Sequence, residues 1–439
     1  MSKRNLILLI IILVAAVAVT FGFLYFYRPA PTGETTEGTN FFANFLPFGK
    51  KETTTPKSET PPVDISGFEP AAPTETGLKL RRVSSFPVAG FGVFMKERFK
   101  DMPEAVPIEE NPTPTKKNTK PILPPTEFVA ALRYADKATG NIYQTFADKL
   151  DERKFSSMVI PQVHEAYFGN KGESVVIRYL KDKIIETFVG ALQKEYLGAD
   201  SVGTNQVTGS FLPENISDVS ISSDGSKMFY LFGSGDGATG VTFAFSSNAK
   251  VQVFDSPFTE WLSQWPKSSM ITVTTKPSAQ VPGFMYAINP DKKDFNKILG
   301  GINGLTTLGS PDGKMVLYGD SSLTLNIFNL DSGSSESIPL KTLPEKCVWN
   351  SSSDALYCAV PKFINQGEYP DAWYRGEVSF SDDIWKIDIK SGNTTLLLNP
   401  ASVENGAEID GIKLTLDEKE DYLFFLNKKD SYLWEMSLK

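Results

Sequence analysis

The chain has 439 residues, with 52 acidic against 44 basic side chains, a net charge of −8, two cysteines and a single histidine. That balance opposes nucleic-acid binding, which depends on Lys and Arg meeting phosphates, and the shortage of His and Cys excludes a closed zinc site. With 41% apolar and 12% aromatic residues the composition is that of a folded chain rather than a disordered one.

At the N-terminus, Lys3 and Arg4 precede 22 uncharged, mostly apolar residues running from Leu6 to Tyr27. As a helix this run spans about 33 Å, slightly more than the hydrocarbon core, and the two cations keep the N-terminus in the cytoplasm. A cleaved signal peptide is the competing reading. Its apolar region is shorter and ends in small residues, whereas this run ends in Phe23-Leu24-Tyr25-Phe26-Tyr27. The expectation is therefore a single-pass anchor over 1–28 that meets the membrane through Leu6 to Tyr27, with the remainder of the chain extracytoplasmic.

Residues 29–76 hold eight Pro and ten Thr. No strand or helix period survives there, so the segment reads as a flexible linker. Phe41, Phe42, Phe45 and Phe48, followed by Lys50 and Lys51, interrupt it. They either dip into the bilayer interface or pack on the folded domain or a partner, and the second reading is the plainer one.

From Gly77 onward the signal is β. Short runs rich in Val, Ile, Phe and Tyr are bounded by Gly, Asn, Asp and Ser. A stretch at 95–126, with seven Pro between Asp101 and Pro125, reads as an insertion between two strands, and residues 188–196 are the best helix candidate. One turn recurs: Ser222-Ser223-Asp224-Gly225-Ser226-Lys227, then Ser310-Pro311-Asp312-Gly313-Lys314, each followed by an apolar strand. Weaker copies lie at 169–172, 352–354 and 416–419. Asp accepts backbone hydrogen bonds at such a corner and Gly supplies the positive φ. Asp224 and Asp312 are 88 residues apart, twice 44, and Asp312 and Asp354 are 42 apart. A period of this size built of strands marks propeller blades.

With 95–126 and 362–383 set aside, 77–439 divides into seven blades of about 44 residues. The predicted fold class is all-β: a seven-bladed β-propeller preceded by a single transmembrane helix and a Pro/Thr-rich linker. The last blade supplies three strands, and residues 78–84 are available to add the fourth and close the ring.

The Ser-Pro-Asp-Gly-Lys turn resembles the TolB-type propeller repeat, a relative of WD-repeat blades. The resemblance covers most of 160–439, with the turns at 222–227 and 310–314 matching best. Taken whole, the chain resembles bacterial membrane-anchored propeller proteins, which implies a cell-envelope setting and no particular role.

Catalytic signatures are scarce. His164, in Val163-His164-Glu165, reads as a structural residue that strand alternation buries or pairs. There is no Gly-x-Ser-x-Gly elbow and no EF-hand loop. The Gly-rich run at 233–240 joins two strands with no following helix to hold a phosphate, so it reads as a hairpin and no cofactor is expected. Cys347 and Cys358 flank a turn in which Asn350 faces Ala355. Continuing that register pairs the two cysteines on adjacent strands, within disulfide reach outside the cytoplasm.

The insertion at 362–383 interrupts the sixth blade between its second and third strands. Its Tyr369, Asp371, Trp373, Tyr374, Arg375, Asp382 and Asp383 are the candidate binding residues, because Tyr, Trp and Arg anchor interfaces. The alternative is that the aromatics fold the insertion down over the central channel. These features lead to the expectation of a binding or scaffolding module, rather than an enzyme, for an envelope protein, peptide or glycan. The alternative is an envelope enzyme of glycan-cleaving type, which requires carboxylates converging in one pocket.

Overall fold

Alternating apolar and polar residues, cut by turns every few residues, form strands that bury one face against a neighbouring sheet. Here they form seven four-stranded antiparallel sheets and one two-stranded bridge. The computed structural model describes residues 80–100, 124–157, 159–195, 197 and 205–439, with the backbone of Val63–Asp64. The expected anchor from Leu6 to Tyr27, the Phe41 to Phe48 segment and most of the two Pro-rich stretches lie outside the described residues. Among the described residues no helix is long and apolar enough to cross a membrane. The chain divides into Met1–Pro61 and Pro62–Lys439, and every element named below belongs to the second unit.

The first strands of the blades are Val88–Phe99, Val163–Gly169, Ile216–Ile221, Trp261–Lys267, Thr306–Gly309, Cys347–Trp349 and Gly411–Leu416. Most neighbouring members of this set pack on one another around the axis. The apolar core lies between successive blades. Leu317, Trp349, Leu356 and Trp385 fill the gap between the fifth and sixth, and Tyr357, Ile384, Leu423 and Phe425 fill that between the sixth and seventh. Each such side chain contributes about 1.5–3 kcal/mol on burial.

Ring closure uses both ends of the domain. Leu80–Arg82 adds the outer strand of the seventh blade by pairing with Leu433–Ser437, Leu80 opposite Met436. Arg81 bonds the buried carboxylate of Glu435, so the seam carries a charge pair as well as a ladder.

The recurring turns join the first and second strands of their blades and share one hydrogen-bond pattern. Ser222 Oγ donates to Asp224 Oδ1 (2.6 Å) and accepts from Lys227 N (2.9 Å). Ser310 Oγ does the same with Asp312 Oδ1 (2.6 Å) and Met315 N (2.9 Å). Gly225 and Gly313 both sit at φ 70°. In the degenerate copies Asn350 and Asp417 take the corner position of Ser222 and Ser310, because each caps the first residues of the following strand. The matching registers therefore begin two residues before Ser352 and at Asp417 itself, not at an aligned Asp.

Two local expectations change. The first strand runs on to Phe99 and its partner resumes at Thr126, so strand pairing enters the Pro-rich stretch from both sides. Where the helix candidate begins, residues 188–191 instead belong to the strand Ile184–Ala191, paired on both sides with Val176 and Ser210 each opposite Val189. Sheet pairing outweighs weak helical propensity there. Cys347 and Cys358 lie directly opposite and are joined by a disulfide.

Candidate active site in the central channel

The inner strands begin on the face that also carries the turns between second and third strands, here termed the upper face. Near that end several strands bulge. The register slips between Val163 and Glu165, between Ile216 and Asp218, and between Ile412 and Thr415. A bulge re-aims a side chain that strict alternation would place elsewhere. The three bulges bring Glu165, Asp218 and Lys413 into one another's electrostatic reach at the axis. His164, beside the first bulge, is exposed rather than buried.

Each charged group has a different environment. Glu165 accepts from Arg178 and from the Tyr167 hydroxyl (3.1 Å). Burial opposes its charge, but Lys413, Arg178 and His164 outweigh that and hold the carboxyl below its usual range. Asp218 accepts from Ser263 N (2.6 Å) and Ser263 Oγ (2.7 Å); burial nevertheless pushes it up to about 6. Glu345 lies on the Pro344–Lys346 turn that leads into the sixth blade. It accepts from the Tyr374 hydroxyl, and burial, reinforced by the Asp218 charge, raises it to about 7. Carboxylates whose proton affinities are driven apart within one site are the arrangement used for acid and base roles.

Lys413 and Glu345 line the same cavity, of about 340 Å³, together with Gln264, Trp265 and Leu308. The Lys413 ammonium lies 5.1 Å from the Tyr167 ring centre. Burial, with Arg178 and Lys137, pulls its proton affinity down, against the opposing charges of Glu165 and Asp218. No group of three or more metal-ligating side chains occurs among the described residues.

The insertion covers part of the upper face. Asp371 accepts from Ala279 N (2.7 Å) across on the fourth blade, and Trp373 O accepts from Lys428 Nζ (2.7 Å) of the seventh. Tyr369, Trp373 and Phe380 are buried together with Leu323 and Leu343. Of the seven candidate binding residues, Tyr374 alone hydrogen-bonds a channel carboxylate. Tyr369 and Trp373 belong to the buried cluster, Arg375 is exposed and pairs with Glu377 (2.7 Å), and Asp383 pairs with Lys362. Asp382 accepts from Lys346 Nζ (2.8 Å) and Gly411 N (2.7 Å) in a fully buried ion cluster.

Sequence reading missed Glu165, Asp218, Glu345 and Lys413. The available signal was alignment of the blades: Glu165 and Asp218 occupy the same place as Ser263, two residues after the apolar residue that opens the inner strand.

No family model matches the chain, and no curated protein matches it. Solved propellers do. It is 8% identical to the oligogalacturonate lyase of Vibrio parahaemolyticus, with a TM-score of 0.48 over 71% of this chain and 86% of that one. An oligogalacturonate lyase in complex with manganese is 10% identical at TM-score 0.44, over 70% and 85%. The tricorn protease is 14% identical at 0.34, over 68% and 27%. At these identities the likeness concerns the fold alone.

The expected binding or scaffolding module is corrected. The mark set for the enzymatic alternative was convergence of carboxylates in one pocket, and the channel brings three of them together from three blades. Sequence spacing gave no view of this because the three residues lie far apart in the chain, and Glu165 and Asp218 depend on bulges to reach the axis.

Proposed function

We propose that the chain is a glycan-cleaving enzyme of the cell envelope, working by paired carboxylates in the propeller channel. The observation that carries this reading is the separation of proton affinities at the axis: Glu165 low, Glu345 raised to about 7. A glycosidic bond is broken by an acid that protonates the leaving oxygen and a carboxylate acting on the other side of the sugar. Glu345 suits the acid, since it holds its proton near neutral pH and takes a hydrogen bond from Tyr374. Glu165, kept ionised by Arg178, suits the carboxylate. Asp218, held by Ser263, adds negative charge that keeps Glu345 protonated.

The same proposal includes location. Residues 6–27 anchor the chain, residues 29–76 tether it, and the propeller works outside the cytoplasm. The disulfide, which persists in oxidising compartments, supports that side of the membrane. The shared geometry of the 222–227 and 310–314 turns supports a TolB-type blade ancestry. The test is release of new reducing ends from a panel of envelope and extracellular polysaccharides by the full chain in detergent. Cleavage by wild type and its loss in Glu345→Gln supports the reading; equal cleavage by both, or none on any member, rejects it.

A further inference from the structure

Lys413 occupies a position that a lysine fills at some cost. Its φ is 54°, in the left-handed region that Gly and Asn enter more readily, and it sits in the bulge that breaks pairing between Ile412 and Thr415. Among the described residues its ammonium donates to no carboxylate and makes no hydrogen bond, and it lies over the Tyr167 ring. Every other charged group at the axis is engaged. Arg178 holds Glu165 and the carbonyl of Ile216 (2.9 Å), Asp218 is held by Ser263, and Glu345 by Tyr374. Lys413 thus brings an ammonium that makes no hydrogen bond among the described residues, and feels Glu165 and Asp218 only through space, to the wall of the cavity that also holds Glu345.

We infer that the channel selects a glycan bearing acidic groups, and that Lys413 is the specificity-determining residue that pairs with one of them. This rests on the reading of the channel as a glycan site, and it adds the chemical class of the sugar. A carboxylate on the substrate would give Lys413 the partner it lacks and would relieve its crowding by Arg178 and Lys137. A neutral sugar would leave the ammonium partly desolvated and unpaired, so discrimination comes from the penalty as much as from the new bond.

The test reads binding, so it is independent of cleavage. Full chain in detergent is titrated calorimetrically, at low salt, with two matched pairs: a β-1,4-linked mannuronate tetramer against mannotetraose, and a glucuronate tetramer against cellotetraose. Within each pair the sugars differ by a carboxylate in place of a hydroxymethyl group. Wild type is expected to bind at least one acidic tetramer tenfold or more tightly than its neutral counterpart. Lys413→Asn, which removes the charge and suits the left-handed backbone, is expected to abolish that preference, and Lys413→Arg to retain it. Glu345→Gln is expected to keep the preference while losing cleavage, which separates this inference from the enzymatic reading. No acidic preference in either pair, or an unchanged preference in Lys413→Asn, overturns the assignment.

Discussion

Glu345 and Lys346 are neighbours on one short turn, yet they enter opposite kinds of environment. Lys346 is fully buried and completely satisfied: it donates to Asp382, Asp410 and the Gly411 carbonyl. Asp410 in turn accepts from Trp373 Nε1, Ser379 Oγ and Phe380 N. Burial opposes its charge, but Lys346 first, and then the Phe380 and Trp373 donors, hold its carboxyl below the usual range. Glu345 has a single hydroxyl donor and a raised proton affinity. The comparison shows how buried charge divides between structure and chemistry. Where the charges are held by several hydrogen bonds at once, as at Lys346 and Asp410, they fix geometry, here the seat of the insertion. Where the match is incomplete, a field is left over that a substrate can use.

The largest expected effect falls on the channel side. Glu345→Gln should lower the rate of glycan cleavage by about 10²–10⁴-fold, the range for losing a general acid, without lowering the melting temperature, because the amide replaces a carboxyl whose ionisation burial opposes. Rate assays beside thermal melts check both parts. Lys346→Met should do the reverse. Removing one member of a buried ion cluster costs about 3–5 kcal/mol, read as a lower urea midpoint at constant slope. A Lys346→Met protein with wild-type stability would erase the distinction drawn between the two residues.

The disulfide provides a smaller perturbation on the same blade. Closing the short loop between Cys347 and Cys358 contributes about 3 kcal/mol by chain entropy, so Cys347→Ser/Cys358→Ser should lower the urea midpoint by the corresponding amount. Two alkylatable thiols in unreduced, denatured wild-type protein would contradict the bond.

How much of this was legible in the sequence differs between scaffold and site. Blade number was readable because turn chemistry repeats: Ser222 and Ser310 cap their hairpins alike, and the 88 residues between them are two blades of 44. The disulfide was readable because the turn at Asn350 fixes a register that continues to Cys347 and Cys358. Closure by Leu80–Arg82 was readable from the three-stranded last blade. The site was not readable, since Glu165, Asp218 and Lys413 reach the channel through bulges. A bulge breaks the alternation on which sequence reading depends, and nothing in Val163-His164-Glu165 announces one. The insertion gave a mixed result for a related reason. Its aromatic content marks burial and binding equally, and only tertiary packing separates Trp373, seated on Asp410, from Tyr374, which reaches Glu345.

The smallest expected effect is on the pH dependence of stability. Glu345 titrates near 4.5 when unfolded and at about 7 when folded. Between those values the folded state binds more protons than the unfolded state, so this group's contribution makes stability fall as pH rises through that window. Glu345→Gln should remove that component, leaving a flatter melting profile between pH 4.5 and 7 than wild type. Identical slopes would show that Glu345 is not perturbed.

The central claim is that the channel keeps its carboxyl groups in different protonation states at one pH. The direct measurement is side-chain carboxyl ¹³C NMR of selectively glutamate-labelled protein across pH 3–9, with Glu345→Gln and Glu165→Gln spectra to assign the two resonances. The account predicts that Glu345 titrates near 7 and Glu165 below the usual glutamate range. Titration of both together near 4.5 would contradict it.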